Sequence, residues 1–305
     1  MKIIVTGAHG FLGRCLLGMG GAHEWVGWSR SAGAVGDVSC VVVDLADRIL
    51  MTQLLEEYRP DWVINTAAIT NVDGCELDPA DARRVNVGMV ENLVIACQNA
   101  DVGLAHVSTD YVFDGDNGPY GEGDATAPLS TYGALKLESE EIVLGGLKRS
   151  IVVRTMWLYG YVVVARPNML TWPLQALACG ETLHIVADQW GNPTYVVDLA
   201  RALVDLCVLE SAGLWHVGGG SFMTRYEQVV ELARFFGLDP DRVVQATTAD
   251  LAQPARRPLR SGLSTHALQR HLGWEPTSFL QSLEDILNNE DFCRDFSSTI
   301  NAKNV

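Results

Sequence analysis

Apolar, β-branched runs alternate with helix-like spacing through the first half of the chain. Lys2–Thr6, Glu24–Ser29, Cys40–Val43, Trp62–Asn65, Leu104–Ser108 and Ile151–Arg154 read as strands, with apolar positions at helical intervals over 11–20, 48–58, 79–99 and 130–147. The strands are continuous apolar runs, the pattern of strands covered on both faces. Strand, helix and strand in succession imply right-handed crossovers and therefore a parallel sheet. Beyond about residue 155 the rhythm breaks. Tyr195–Glu210 and Thr224–Gly237 read as helices, Leu214–Val217 as a further strand, and Ala267–Leu272 and Phe279–Leu287 as short helices. The pattern predicts an α/β doubly wound parallel sheet with a smaller C-terminal lobe. Residues 1–154 form the nucleotide-binding domain, with later returns near 195–220; residues 155–296 form mainly the substrate-binding lobe; 297–305 are expected to be a disordered tail.

The first strand runs into Thr6-Gly7-Ala8-His9-Gly10-Phe11-Leu12-Gly13, which opens the first helix. Gly7 permits a tight turn, Gly10 lets the backbone approach a pyrophosphate, and Gly13 lets helix and strand pack closely. The backbone N–H groups of Phe11, Leu12 and Gly13, at the positive end of that helix, suit phosphate. These features make the sheet Rossmann-type and predict a dinucleotide cofactor. The second strand ends in Ser29 and Arg30. An NAD site carries Asp or Glu there to accept from the ribose 2′-OH. A hydroxyl and a guanidinium suit a 2′-phosphate instead, so NADPH is expected, with NADH left open. Asp44 and Leu45 follow the third strand, where the carboxylate is placed to meet an adenine amine. Ala67 and Ala68 follow the fourth, where small side chains leave room for the cofactor. His9 reads as plain loop surface.

Tyr132 and Lys136 are four residues apart and share one helix face, while Thr109 ends the fifth strand. A phenol can pass a proton to a carbonyl oxygen, an ammonium can lower its pKa, and a hydroxyl can hold that oxygen. Bringing the phenol from about 10 to about 7 requires roughly 4 kcal/mol. An exposed lysine supplies only about 0–1 kcal/mol, so the pair is expected to be desolvated.

With these residues in order, the chain resembles the extended short-chain dehydrogenase/reductases, and among them the dTDP-4-dehydrorhamnose reductase family. The resemblance rests on Asn65-Thr66-Ala67-Ala68-Ile69-Thr70-Asn71-Val72-Asp73 with Glu76, on Val85-Asn86, and on Ser108-Thr109-Asp110-Tyr111-Val112-Phe113-Asp114-Gly115. It continues through Glu122–Tyr132, Arg154-Thr155-Met156-Trp157-Leu158-Tyr159-Gly160, Asp188-Gln189-Trp190-Gly191-Asn192-Pro193-Thr194, and Arg257-Pro258 with Ser261 and Leu263. The resemblance implies reduction of the C4 keto group of a nucleotide-linked 4-keto-6-deoxy sugar. It gives Tyr132 the proton, Lys136 the nicotinamide ribose, Thr109 the substrate oxygen, and Asp110 and Trp157 sugar contacts. Related dehydratases carry an acidic residue directly after the strand-end Thr-Asp; here Tyr111 stands there, which favours reduction over dehydration. Met156 stands where a smaller residue is usual.

Composition narrows the partners. The 22 basic residues against 37 acidic give a net charge of −15, which argues against a nucleic-acid groove. An anionic substrate then needs a few local cations, and Arg257 and Arg260 are the candidates for a diphosphate. The acidic residues Asp114, Asp116, Glu122 and Asp124 flank the catalytic helix without a role in this reading. Seven scattered cysteines without a C-x-x-C pair suggest reduced thiols in a cytoplasmic protein. No metal-ligand spacing occurs, and no run is long enough to cross a membrane. A homodimer is left open. Two other readings stand beside the reductase of a dTDP-linked sugar: a reductase of a GDP- or UDP-linked keto sugar, and a non-catalytic cofactor-binding subunit resembling that of methionine adenosyltransferase.

Overall fold

A computed structural model describes residues 1–297 and 299; most of the tail segment 297–305, expected to be disordered, lies outside the described residues. The strands are β1 (Lys2–Thr6), β2 (Glu24–Ser29), β3 (Gly33–Val35), β4 (Val38–Val42), β5 (Trp62–Asn65), β6 (Gly103–Thr109), β7 (Ser150–Thr155), β8 (Leu183–Val186), β9 (Trp190–Gly191), β10 (Gly213–His216), β11 (Met223–Thr224) and β12 (Val243–Ala246). The helices are α1 (Phe11–Gly18), α2 (Arg48–Tyr58), α3 (Val72–Leu77), α4 (Pro79–Arg83), α5 (Met89–Ala100), α6 (Thr131–Gly146), α7 (Thr171–Ala178), α8 (Val196–Val208), α9 (Arg225–Phe235), α10 (His266–Leu272), α11 (Phe279–Leu287) and α12 (Glu290–Asp295).

Eight strands form one sheet in the order β3-β4-β2-β1-β5-β6-β7-β10. All neighbours run parallel except the β3–β4 edge hairpin. Alternation along each strand divides the core into two faces. Ile3, Val5, Ile64, Ala105 and Val153 pack with Leu16 of α1 and Leu199 and Leu203 of α8. Ile4, Val63, Leu104 and Val152 pack with Leu55 of α2, Leu93 of α5 and Val143 of α6. Each of the Ile, Val and Leu side chains among them contributes about 1.5–3 kcal/mol on leaving water. The C-terminal lobe has its own core of Tyr159, Leu174, Leu232, Phe236, Phe279 and Phe292. Helix α8 and strand β10 return to the main sheet, β10 pairing with β7.

The long helix expected over 79–99 is divided: α4 is followed by a π-helical turn at Arg84–Gly88, then α5. The turn carries Asn86, whose side-chain amide accepts from Ile69 N at 2.8 Å and donates to Ile69 O at 3.0 Å. That clamp holds the segment after β5 against the helix, a local use typical of π-bulges. Register brings the strand ends together at one crevice. Thr6 lies opposite both Trp28 and Asn65, Asn65 opposite His106, and Thr109 opposite Thr155.

Candidate active site

The glycine loop has the geometry that its spacing requires. Gly7 has φ +66°, and a Cβ there would lie 2.8 Å from Thr66 Oγ1 and 3.0 Å from Ala67 N. A Cβ on Gly13 would lie 2.3 Å from Gly7 O. Gly10 N donates to Gly7 O at 2.7 Å, and no side chain caps the N-terminus of α1. The Phe11, Leu12 and Gly13 amides therefore stand at an uncapped helix start, a cradle that fits a pyrophosphate. Ala67 and Ala68 lie half-buried after β5. Arg30 is exposed and in no ion pair among the described residues. His9 is more than loop surface: its Nδ1 lies 3.0 Å from Ser29 Oγ and 3.2 Å from Ser31 Oγ, tying the glycine loop to the end of β2. Asp44 is exposed and accepts from Ala46 N at 2.9 Å, while Leu45 is buried.

Helix α6 starts at Ser130, which caps Gly133 N at 3.3 Å, while Glu76 accepts from Thr131 N at 2.9 Å. One face of this helix then presents Tyr132, Lys136 and Glu140, all buried. The Tyr132 phenol lies beside the Thr109 hydroxyl, and its ring meets Tyr111 edge-on at 5.9 Å. Burial pushes the Tyr132 phenol well above the ordinary tyrosine value, against the lowering expected from sequence. Lys136 does not sit on the phenol. Its Nζ lies 2.8 Å from Nε2 of His106, and burial lowers its pKa to about 8, with Glu140 pulling the other way.

The hydrogen-bond pattern around His106 assigns the protons. Asn65 Oδ1 accepts from the Thr6 hydroxyl at 2.5 Å and from Ala67 N at 3.2 Å. The amide nitrogen of Asn65 therefore faces His106 Nδ1, at 2.9 Å, and donates to it. Burial keeps the imidazole neutral, so the ring hydrogen is on Nε2, facing both Ser139 Oγ at 3.0 Å and the Lys136 nitrogen. An ammonium has no lone pair for that hydrogen; an amine does. The contact favours the amine form of Lys136, which prevails only above its pKa of about 8. No local motif marks His106, which is drawn in by the β5–β6 register.

On the other side of Thr109, Asp110 is buried. Its carboxylate accepts from Ser261 Oγ at 2.7 Å and Thr109 Oγ1 at 3.2 Å, and burial raises its pKa to about 6 against those bonds and Arg225. Trp157 has φ +41°, a left-handed conformation costly for a bulky residue and typical of functional sites. The Arg225 guanidinium lies 4.2 Å over its ring. Met156 is buried beside Gly191 and accepts from Asn192 N through its sulfur at 3.4 Å. Arg257 is paired with Asp73 at 2.8 Å, and Arg260 donates to Gly118 O at 3.1 Å while packing over Phe222 and Trp190. Both expected diphosphate cations thus have partners within the chain. Arg225, at the start of α9, escaped the sequence reading.

The acidic segment before α6 shapes the chain. Asp114 accepts from the Tyr120 hydroxyl, Asp124 from Gly121 N at 2.8 Å, and Glu122 from His216 N at 3.1 Å. Behind α6, Glu140 forms a buried ion pair with Arg154 at 2.6 Å.

The sequence profile of the RmlD substrate binding domain matches residues 1–292. The chain is 32% identical to the dTDP-4-dehydrorhamnose reductase of Aggregatibacter actinomycetemcomitans, over 93% of this chain and 98% of that protein. It is 33% identical to a dTDP-4-keto-6-deoxy-D-glucose reductase of Streptomyces niveus, over 90% of this chain and 91% of the relative. The crystal structure of dTDP-4-dehydrorhamnose reductase from Bacillus anthracis in complex with NADP superposes with a TM-score of 0.86 at 27% identity, covering 94% of this chain and 98% of that one.

Proposed function

The chain belongs to the RmlD substrate binding domain family, and from that premise we propose that it is an NADPH-dependent reductase of the C4 keto group of a nucleotide-linked 4-keto-6-deoxy sugar. The specific reaction proposed is dTDP-4-dehydrorhamnose to dTDP-L-rhamnose. The observation that carries the reading is the buried Tyr132 beside the buried strand-end Thr109, at the crevice that also holds the glycine cradle.

The residues present fit the cofactor. The amides of Gly10–Gly13 and the cleared space at Gly7 would take the pyrophosphate, Ser29 and Arg30 the 2′-phosphate, Asp44 and Leu45 the adenine, and Ala67 and Ala68 the adjoining face. When bound, the reduced nicotinamide supplies a hydride to the carbonyl carbon. Tyr132 delivers a proton to the carbonyl oxygen, and its raised pKa keeps it protonated as an acid should be in the reducing direction. Thr109 holds the same oxygen through its hydroxyl. Lys136, released from His106, becomes charged and stabilises the phenolate that remains. Asp110 and Trp157 contact the sugar, and Arg257 and Arg260 border the nucleotide side. Tyr111, beside Arg225 and held protonated by burial, supplies no base for the C5 proton that dehydration requires. In this reading the first 154 residues bind the cofactor and residues 155–296 mainly shape the sugar pocket.

The test is NADPH consumption with dTDP-4-dehydrorhamnose, with the C4 configuration of the product read by NMR. Turnover to the L-rhamnose nucleotide supports the proposal. Absence of turnover with dTDP-, GDP- and UDP-linked keto sugars, alongside a stable complex with a methionine adenosyltransferase, contradicts it.

A further inference from the structure

Among the described residues, Arg225 is the cation at the crevice that the proposed chemistry leaves without work. Arg225 is half-buried, enough to oppose its charge, yet it belongs to no ion pair among the described residues. Its partners are neutral. Nε donates to Gln189 Oε1 at 3.2 Å, the Tyr111 hydroxyl lies beside the guanidinium, and the Trp157 ring covers one face at 4.2 Å. Asp110 lies near enough to be felt, but its oxygens are occupied by Ser261 and Thr109. A partly buried cation whose counter-charge, Asp110, is committed to other donors is poorly compensated. An arginine has five N–H donors, and Gln189 takes one, leaving the others for an outside acceptor.

The group is also held in place. Asp188 accepts from the Thr248 hydroxyl at 2.8 Å, Thr248 Oγ1 accepts from Gln189 Nε2 at 3.0 Å, and Gln189 thereby turns its carbonyl oxygen toward Arg225. This gives the Asp188-Gln189 segment a purpose that the reduction itself does not explain. Arg257, 6.0 Å from the Tyr111 ring, is neutralised by Asp73.

We propose that Arg225 is the principal ligand of the substrate's diphosphate, and so the residue by which the enzyme selects nucleoside-diphosphate sugars over free sugars. The inference rests on the nucleotide-sugar reading above and adds the residue that enforces it. The planar fork of Arg225 grips phosphate oxygens at the mouth of the pocket, while Trp157 stacks on the guanidinium and keeps it facing the crevice.

The experiment is calorimetric titration of the NADPH-saturated protein with dTDP and with thymidine, so that the cofactor's own phosphate cradle is filled. Wild type, Arg225→Gln, Arg225→Lys and Arg257→Gln are compared. The affinity ratio of dTDP to thymidine is expected to fall about 30-fold or more in Arg225→Gln. It should recover in part in Arg225→Lys, which keeps charge without the fork, and change less in Arg257→Gln. Unchanged NADPH affinity shows that the variants are folded. GDP with guanosine and UDP with uridine are run in parallel. If one of those pairs shows the diphosphate preference and loses it in Arg225→Gln, the inference stands and the thymidine assignment fails. A ratio in Arg225→Gln equal to that of wild type overturns the inference, as does a wild type that binds no diphosphate better than its nucleoside.

Discussion

The Nζ of Lys136 lies 2.8 Å from Nε2 of His106, turned from the Tyr132 phenol that shares its helix face. Asn65 fixes the imidazole so that its hydrogen points at the lysine nitrogen. That contact favours the amine form of the lysine, which prevails only above its pKa of about 8.

Cofactor binding should therefore take up a proton. Moving Lys136 out to an anionic neighbour charges it, so titration of NADPH into the protein in buffers of different ionisation enthalpy should reveal uptake at weakly alkaline pH. The uptake should shrink below pH 7, where the lysine is already charged, and vanish in Lys136→Met. Uptake undiminished in Lys136→Met contradicts the assignment.

Asp110 should make the fold less stable as pH rises. Its folded pKa of about 6 exceeds the ordinary 3.8, so the folded state holds the proton more tightly. Its penalty is absent below the unfolded value, grows between the two, and levels off above about 6 at about 3 kcal/mol. Asp110→Asn should flatten that part of the pH–stability curve, raising stability at neutral pH relative to its effect near pH 4, while impairing turnover. A variant equally destabilised at both pH values is the contrary outcome in chemical denaturation.

Gly13→Ala places a methyl 2.3 Å from the Gly7 carbonyl oxygen, so the loop or α1 must shift. Overpacking of this kind costs about 1–3 kcal/mol. Thermal melts should show the loss, and NADPH affinity should fall with it because the cradle amides move. Wild-type cofactor affinity in a folded Gly13→Ala protein contradicts the role of the cradle.

Arg30→Ala should lower kcat/KM for NADPH by roughly tenfold or more, the range for a hydrogen bond to a charged group, and leave NADH almost unaffected. Equal losses with both cofactors place the 2′-phosphate elsewhere, with His9 and Ser31 the nearest alternatives on the same loop pair.

The sheet was legible because its signal is local. Lys2–Thr6, Glu24–Ser29 and Trp62–Asn65 end where the apolar runs end, since each strand is buried on both faces. The lobe was less so: β9 and β11 have two residues each, too few for periodicity to register. Thr109, Tyr132 and the glycine loop could be read because motif and element order coincide. His106 and Arg225 could not. The first is recruited by strand register across from Asn65, the second by packing of a helix more than a hundred residues from Tyr111. The expectation that Lys136 lowers the Tyr132 pKa failed for a physical reason: burial acts on both groups, raising the phenol and lowering the amine, before any attraction between them.

The most direct test of the reductase reading is the steady-state rate of NADPH consumption with dTDP-4-dehydrorhamnose in wild type and Tyr132→Phe. Loss of the general acid should cost roughly a thousandfold in kcat, with NADPH affinity and melting temperature near those of wild type. A Tyr132→Phe enzyme within about tenfold of the wild-type rate, below the usual worth of a general acid, would contradict the assignment of Tyr132 as proton donor.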